Sequence, residues 1–180
     1  MKRLVRADAM VVLGPPLRRP HGGLGVLSIL AGALLLMSTS GARPARAGSQ
    51  DWNDQNIRWR PYAEGLAEAS KQHKPVCLIF YTTWCPHCTN YSRVFQDPAL
   101  VEKSKAFVMI RVDKDQQPDV SQRYRPDGEY IPRTYFLAPD GQLDESLTES
   151  RPQYKYFYDE RNAAAILAGM DRALAKLGPH

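Results

Sequence analysis

Two cysteines separated by two residues are the side chains whose type and spacing most directly predict chemistry in this sequence. Cys85 and Cys88 stand in the segment Trp84-Cys85-Pro86-His87-Cys88, shortly after an apolar run over Val76–Tyr81. Paired thiols at this spacing either form a reversible disulfide or supply half of a metal site. The surrounding residues must distinguish between these two kinds of site.

A zinc site is the first alternative, because structural zinc sites use four Cys or His ligands. The chain has one further cysteine, Cys77, while His87 lies between the two thiols and His180 is the last residue. No second cysteine pair is available to complete the site. We therefore expect no resident metal and no cofactor, and transient binding of a soft ion such as copper(I) stays open as an alternative.

The predicted position of the dithiol assigns a role to each residue. Val76–Tyr81 predicts a buried strand, so Cys85 begins the next helix, where unpaired N–H groups and the helix dipole stabilise a thiolate. Cys85 is then the exposed nucleophile, and Cys88, one turn deeper on the same face, attacks the mixed disulfide. Pro86 suits the first helical turn because its missing N–H has no helical partner there.

Two neighbours of the cysteines are predicted to support them. The ring of His87 can donate to the thiolate, which would stabilise the reduced pair and make it a stronger oxidant, since about 30 mV corresponds to ~1.4 kcal/mol. A solvated loop histidine is the alternative. Trp84 is expected to shield Cys85 and contact substrate, and the alternative is a cap on the core.

Ile131 and Pro132 form a second candidate element of the site, immediately before a predicted buried strand. A cis peptide bond there would leave the backbone of Ile131 free to pair with a substrate strand beside Cys85. An ordinary trans proline is the alternative that general frequencies favour.

Hydrophobic patterning predicts an α/β fold with a central mixed sheet and helices on both of its faces. A turn at Ala138–Gly141 separates the third of the main strands from a hairpin partner that begins at Gln142. The main strands are predicted over residues 76–81, 106–112 and 134–137, with a short strand or arm at 57–60, and the helices over residues 61–73, 85–105 with a break at 97–98, 120–124 and 161–177.

Residues 1–47 predict a secretory signal peptide. Basic residues precede an apolar run from Leu24 to Met37, and Ala45-Arg46-Ala47 is a small-residue cleavage site. The run has about 14 residues, fewer than the roughly 20 that span a bilayer, so we expect cleavage and no stable membrane insertion afterwards. A retained anchor and a start at Met10 are alternatives. A flexible lead-in over 48–56 and one domain over 57–180 are expected to follow.

The basic charge of the chain belongs to the predicted leader. The chain has 24 Lys and Arg and 19 Asp and Glu, a net charge of +5. Seven basic residues and one acidic residue lie in residues 1–47, so the remainder has 17 basic and 18 acidic residues and a net charge of −1. We therefore expect no nucleic-acid partner. With three cysteines, the chain is not a disulfide scaffold either.

The W-C-x-x-C helix start after an apolar strand, with Ile131-Pro132 about 45 residues downstream, resembles the thioredoxin superfamily. The resemblance covers nearly all of the chain after the leader. It implies a thioredoxin-like fold, with Cys85 as the attacking thiol, Cys88 as the resolving thiol and Pro132 as a cis-proline. Further stretches are similar to the small endoplasmic-reticulum thioredoxin-like proteins of the anterior-gradient group: Trp59, residues 62–69, 126–128, 130–133, 136–137, Pro139 and 154–158.

The sequence departs from these families at two positions. Pro86-His87 is instead similar to the bacterial periplasmic dithiol oxidase of the DsbA type, although the chain is too short for the helical insertion of that enzyme. Ile79 stands where thioredoxins carry a buried carboxylate, which leaves Cys88 without the usual proton acceptor. No endoplasmic-reticulum retention signal follows Lys176, so a periplasmic or otherwise secreted location is expected.

Taken together, these observations predict a thiol–disulfide oxidoreductase. Its expected partners are exported proteins with thiols or disulfides and a redox partner protein, and the direction of electron flow, as oxidase, isomerase or reductase, stays open. A non-catalytic chaperone-like or copper(I)-handling protein is the alternative. Three further expectations concern single sites: a buried Cys77, an Arg133 at the surface, and a Tyr154–Tyr158 segment that either packs on the last helix or binds a partner.

Overall fold

The computed structural model describes residues 50–178, so the predicted leader over residues 1–47 lies outside the described residues. No helix within this range is long and apolar enough to cross a membrane. The strands are Trp59–Arg60 (β1), Val76–Tyr81 (β2), Val108–Asp113 (β3) and Arg133–Leu137 (β4), and the helices are Tyr62–Gln72 (α1), Pro86–Val94 (α2), Pro98–Ser104 (α3), Pro118–Arg123 (α4) and Ala164–Leu177 (α5).

The four strands form one mixed sheet in the order β1-β3-β2-β4. β3 runs parallel to both β1 and β2, whereas β4 pairs antiparallel with β2. The central strand β2 is buried on both faces, as its unbroken apolar run predicts. The alternation of side chains along β2 places Cys77 and Ile79 in the same apolar cluster as Cys85 and Cys88.

Helices cover both faces of the sheet, which agrees with the predicted fold class. On the face that includes Cys77, the packed side chains include Tyr91 of α2, Leu100 of α3 and Met170 of α5. On the opposite face, Leu78 and Phe80 of β2 pack with Ala69 of α1. The two apolar layers therefore hold the end of β2, where the dithiol segment begins, from both sides.

Two predicted elements near the C-terminus are shorter in the structure. The expected hairpin partner is a single bridge between Leu137 and Leu143, because Asp144 turns the chain by accepting the N–H of Ser146 at 3.0 Å. The last helix begins at Ala164 instead of residue 161. The side chain of Asn162 accepts the N–H of Ala164 at 3.0 Å and thereby completes a turn before the helix.

The segment before β1 is part of the folded core, which differs from the flexible lead-in that its polar composition predicts. Trp52 is only 2 % exposed, and its ring meets those of Trp59 and Tyr91 edge-on. Asn53 donates its side-chain amide to the carbonyl of Phe95 at 2.9 Å. The apolar side chain of Trp52 and the amide of Asn53 therefore attach residues 50–56 to the domain.

Arg133 is fully buried, so the expectation of a surface charge is wrong. Its guanidinium donates to the carbonyl of Gly128 at 2.8 Å and to Ser121 Oγ at 2.5 Å, and it lies 4.9 Å from the centre of the Phe80 ring. These partners pair the two terminal nitrogens of the buried cation, whereas its Nε has no hydrogen-bond partner among the described residues. No pattern in the neighbouring sequence indicates this placement.

The Tyr154–Tyr158 segment divides between core and surface. Tyr158 is buried against Phe136 and close to Gly169 of α5, as the packing alternative predicts. Tyr156 is also buried, against Tyr135 on the other face of the sheet. Tyr154 is exposed. Only part of the segment is therefore used for packing.

Candidate dithiol active site

Cys85 is the N-cap residue of α2, as the sequence predicts. Its backbone is extended, with φ −79° and ψ 117°, and its sulfur accepts the N–H of Cys88 at 3.3 Å. Pro86 occupies the first turn, where its missing N–H leaves no helical bond unmade. Both cysteines are free thiols, so the structure represents the dithiol form.

The two thiols lie deeper than expected. Cys85 is 4 % exposed, so the prediction of an exposed nucleophile is wrong for this structure, and Cys88 is fully buried behind it. The loop before β4 covers the first thiol, because the carbonyl oxygen of Ile131 lies 4.0 Å from Cys85 Sγ. Burial raises the pKa of Cys88, and its interactions with Cys85 act in the same direction.

The Ile131–Pro132 peptide bond is cis, which confirms the expectation drawn from the family resemblance. Pro132 is buried at the start of β4, whereas Ile131 is partly exposed. The fold therefore brings the second predicted element of the site next to Cys85, although the two are 46 residues apart in sequence.

Trp84 is an exposed wall of the site and does not cap the core. Its side chain is 67 % exposed. The indole N–H donates to Asp115 Oδ2 at 2.7 Å, which ties the ring to the loop after β3. This placement argues against the alternative of a cap on the core, and the expected shielding of Cys85 and contact with substrate stay predictions.

His87 is held by a carboxylate from a distant part of the chain. Its Nδ1 lies 2.9 Å from Glu160 Oε2, and its ring meets that of Phe157 edge-on. Glu160 Oε1 also accepts the amide of Asn90 at 3.2 Å. The side chain of His87 is 63 % exposed. Its contacts with Glu160 and Phe157 distinguish it from a freely solvated loop histidine. The Nδ1 atom contacts Glu160 and not the thiol of Cys85, which limits the predicted donation to the other ring nitrogen.

Glu160 is the site residue that sequence reasoning missed. It precedes α5 and is more than 70 residues from His87, and no spacing rule connects the two. Its negative charge adds to the causes that raise the pKa of Cys88. Ile79 is fully buried in the same apolar cluster as the dithiol. Its side chain cannot accept a proton from Cys88, as the sequence predicts.

Thr82 lies between β2 and the dithiol and is fully buried. Its carbonyl accepts the side-chain amide of Gln50 at 2.6 Å and the N–H of Cys85 at 3.4 Å. Its hydroxyl has no hydrogen-bond partner among the described residues. The segment around residue 50 thus contacts the backbone that leads into the active-site helix.

A cleft of about 600 Å³ opens beside His87. Its walls combine charged side chains with the ring of Phe157, and it gives the surface next to the dithiol a concave shape. Within residues 50–178 no group of three or more His, Cys, Asp or Glu side chains could hold a metal ion. The lining residues are His87, Glu149, Ser150, Arg151, Phe157, Asp159, Glu160 and Arg161.

Comparisons with known proteins agree with this geometry. Residues 58–139 match a family model described as thioredoxin-like. Anterior gradient protein 3 of Xenopus tropicalis is 28 % identical over 152 residues, covering 82 % of this chain and 90 % of the relative. The anterior gradient protein 2 homolog of Homo sapiens is 28 % identical over 130 residues, covering 72 % and 73 % of the two chains.

Solved structures give the same result. A thioredoxin from Thermus thermophilus superposes with a TM-score of 0.55 and 29 % identity, covering 68 % of this chain and 91 % of that chain. A structure titled DsbH Oxidoreductase superposes with a TM-score of 0.51 and 19 % identity, covering 76 % and 96 % of the two chains. The second likeness concerns the fold alone.

Proposed function

Because this chain is a thioredoxin-superfamily protein related to the anterior gradient proteins, we propose that it exchanges disulfides with exported proteins through Cys85 and Cys88. The observation that carries the proposal is the placement of Cys85 Sγ at the start of α2, where it accepts the N–H of Cys88. A sulfur in this position has a donor for its thiolate form and a second thiol one turn behind it.

The exchange needs no reactant beyond a client protein and a redox partner. In the reducing direction, the Cys85 thiolate attacks a client disulfide, forms a mixed disulfide and releases one client thiolate, which takes up a proton. Cys88 then loses its proton and attacks the Cys85 sulfur. This step forms the Cys85–Cys88 disulfide and releases the second client thiol, so two electrons have passed to the client.

In the oxidising direction the same bonds change in reverse. A client thiolate attacks the Cys85 sulfur of the Cys85–Cys88 disulfide, and Cys88 leaves as a thiolate that takes up a proton. The second client thiolate then attacks the client sulfur of the mixed disulfide, and Cys85 leaves as a thiolate. The client gains a disulfide, and a redox partner protein must reoxidise the pair for the next cycle.

The cellular location and the direction are part of the proposal. The predicted leader supports export to a periplasmic or extracellular space, where disulfides persist. Pro86-His87 between the thiols favours oxidation. The carboxylate of Glu160 acts against this effect, because it lies 2.9 Å from His87 Nδ1 and would partly neutralise a positive charge on the His87 ring before that charge could stabilise the thiolate. The reduction potential decides the direction: a value of about −120 mV indicates an oxidant, and about −270 mV a reductant.

Substitution of each thiol tests the proposed exchange. For this test the full chain is expressed, with the predicted leader over residues 1–47. The intact mass of the purified protein shows whether it begins at Gly48, as cleavage after Ala47 predicts. Cys85→Ser should abolish exchange with a protein disulfide, because the attacking sulfur is lost. Cys88→Ser should accumulate mixed disulfides with clients, because the resolving sulfur is lost. Cys77→Ala is the matched control: this third thiol is buried in β2 and should not be required. Full activity of both Cys85→Ser and Cys88→Ser would contradict the proposal.

A further inference from the structure

The thiol of Cys88 needs hydrogen-bond donors if it is to react as a thiolate. It is fully buried, and burial is the largest cause that raises its pKa. Its titratable neighbours act in the same direction: Cys85 at the start of the same helix, and Glu160 from the loop before α5. Ile79, in the same apolar cluster, offers no polar side-chain group. The surroundings of Cys88 therefore disfavour its charged form, so a nearby donor would strongly affect its reactivity.

Thr82 carries two donors beside this thiol. Among the main influences on Cys88, a hydrogen bond from the backbone of Thr82 is the one that lowers the pKa, which identifies the Thr82 N–H as its donor. The side chain of Thr82 is fully buried, and within residues 50–178 its hydroxyl has no hydrogen-bond partner. A buried hydroxyl without a partner costs free energy and therefore requires an explanation. Oγ1 and the backbone nitrogen are joined through Cα and Cβ alone, so the hydroxyl lies near the sulfur that the N–H contacts.

Contacts from two directions fix the backbone of Thr82. Its carbonyl accepts the side-chain amide of Gln50 at 2.6 Å and the N–H of Cys85 at 3.4 Å. The side-chain oxygen of Gln50 in turn accepts the indole N–H of Trp52 at 3.1 Å, and Trp52 is buried. Thr82 is therefore held between the segment before β1 and the start of α2. Its unpaired hydroxyl belongs to a well-connected site and is not the result of a loosely packed loop.

We propose that Thr82 stabilises the Cys88 thiolate during the resolving step by donating hydrogen bonds from both its N–H and its hydroxyl. The inference rests on the proposed exchange function and adds a residue that contacts a reacting atom. In the dithiol form Cys88 is neutral and the hydroxyl is unpaired, whereas loss of the Cys88 proton to solvent gives the hydroxyl a charged acceptor. The bond is thus made only in the reactive state, where it accelerates the reaction. Thr82 keeps its own proton while the thiolate attacks the Cys85 sulfur, and the client sulfur leaves as a thiolate that takes up a proton.

Removal of the hydroxyl tests this role. Rapid mixing of the reduced protein with a disulfide-linked peptide that carries a fluorophore measures formation and then resolution of the mixed disulfide. In Thr82→Val, which keeps the shape of the side chain, resolution should slow about three-fold to ten-fold at neutral pH and its pH profile should move to higher pH. Formation of the mixed disulfide at Cys85 should be unchanged. The Tm should stay equal or rise, because an unpaired buried hydroxyl is removed. Thr82→Ser, which keeps the hydroxyl, should retain the wild-type pH profile.

Thr83→Val is the matched control, because Thr83 is the next residue of the chain and is exposed. The pH profile of its resolving step should match that of the wild type. A wild-type profile in Thr82→Val would overturn the inference. Equal slowing in Thr82→Val and Thr82→Ser would overturn it as well, since it would show a role of side-chain packing and not of the hydroxyl. Wild-type protein that leaves the peptide disulfide intact would instead overturn the proposed function.

Discussion

The thiol of Cys88 and the imidazole of His87 share one neighbour, the carboxylate of Glu160. Nδ1 of His87 lies 2.9 Å from Glu160 Oε2, and the charge of Glu160 is among the causes that raise the pKa of Cys88. Burial is the main cause of that rise. A thiol attacks only as its thiolate, so we expect the raised pKa of Cys88 to slow the proposed resolving step at neutral pH and to make its rate increase as the pH rises.

Replacement of Glu160 should speed the resolving step. Glu160→Gln removes a negative charge near Cys88, so the pKa of Cys88 falls and a larger fraction is ionised at a given pH. The rate of mixed-disulfide resolution should increase about two-fold to three-fold at neutral pH, and its pH profile should move to lower pH. Single-turnover release from a mixed disulfide at Cys85 measures this rate.

Asp159→Asn is the control for this prediction. Asp159 lines the same cleft, but it bonds to the backbone and side chain of Arg161, and its charge is not among the main causes that act on Cys88. The pH profile of this variant should match that of the wild type. A slower resolving step in Glu160→Gln at every pH would contradict the electrostatic account and would indicate that Glu160 accepts the proton of Cys88.

At the scale of the elements, β4 positions the loop that covers Cys85. Arg133 is the first residue of β4, and its guanidinium binds the carbonyl of Gly128 and the hydroxyl of Ser121 at the end of α4. These bonds connect the strand, the helix and the turn that precedes Ile131. Burial lowers the pKa of Arg133, yet two hydrogen bonds and the Phe80 ring hold the cation inside.

Arg133→Met should destabilise the protein because it leaves Ser121 and Gly128 without their buried donor. We expect a loss of about 2–4 kcal/mol in the free energy of unfolding, measured by urea denaturation. Arg133→Lys should recover little of it, since an ammonium group cannot reproduce the fork of the guanidinium. Arg123→Met, at an exposed position of α4, is the control and should change stability by no more than ~0.5 kcal/mol. Equal stability of Arg133→Met and Arg123→Met would contradict this role.

At the scale of the whole molecule, the folded domain extends beyond the part that matches the thioredoxin-like family model. That match begins at residue 58, whereas Trp52 already lies in the core and Gln50 contacts the carbonyl of Thr82. The ring of Trp52 packs against four others, those of Trp59, Tyr81, Tyr91 and Phe95. Residues 50–56 therefore connect the start of the domain to the elements around the dithiol.

Trp52→Ala should lower the free energy of unfolding by about 3–5 kcal/mol, the usual cost of removing a buried aromatic side chain. Chemical denaturation measures the change. Trp84→Ala is a matched control, because the same kind of side chain is 67 % exposed there and its loss should alter stability by no more than ~0.5 kcal/mol. If Trp52→Ala were as stable as the wild type, the segment before β1 would not belong to the cooperative unit.

The elements and the dithiol could be predicted from the sequence because their signals are local. The apolar run of β2 requires burial on both faces, and the periodicity of α1 creates one apolar side. Cys85, Pro86 and Cys88 are assigned by the start of the helix that they begin. The family resemblance added the cis bond before Pro132, which the residues alone left open.

Only the tertiary structure decided the roles of Glu160, Arg133 and Trp52. Each depends on partners that are distant in sequence: Glu160 on His87, the buried Arg133 on Ser121, and Trp52 on the rings around it. A local pattern records the average environment of a residue type, so it places arginine at the surface and a polar segment in a flexible linker. The sequence by itself indicated which residues would carry the proposed thiol chemistry. The packing determined how deeply the thiols lie and which charges and rings surround them, because burial and electrostatic contact are properties of the assembled chain.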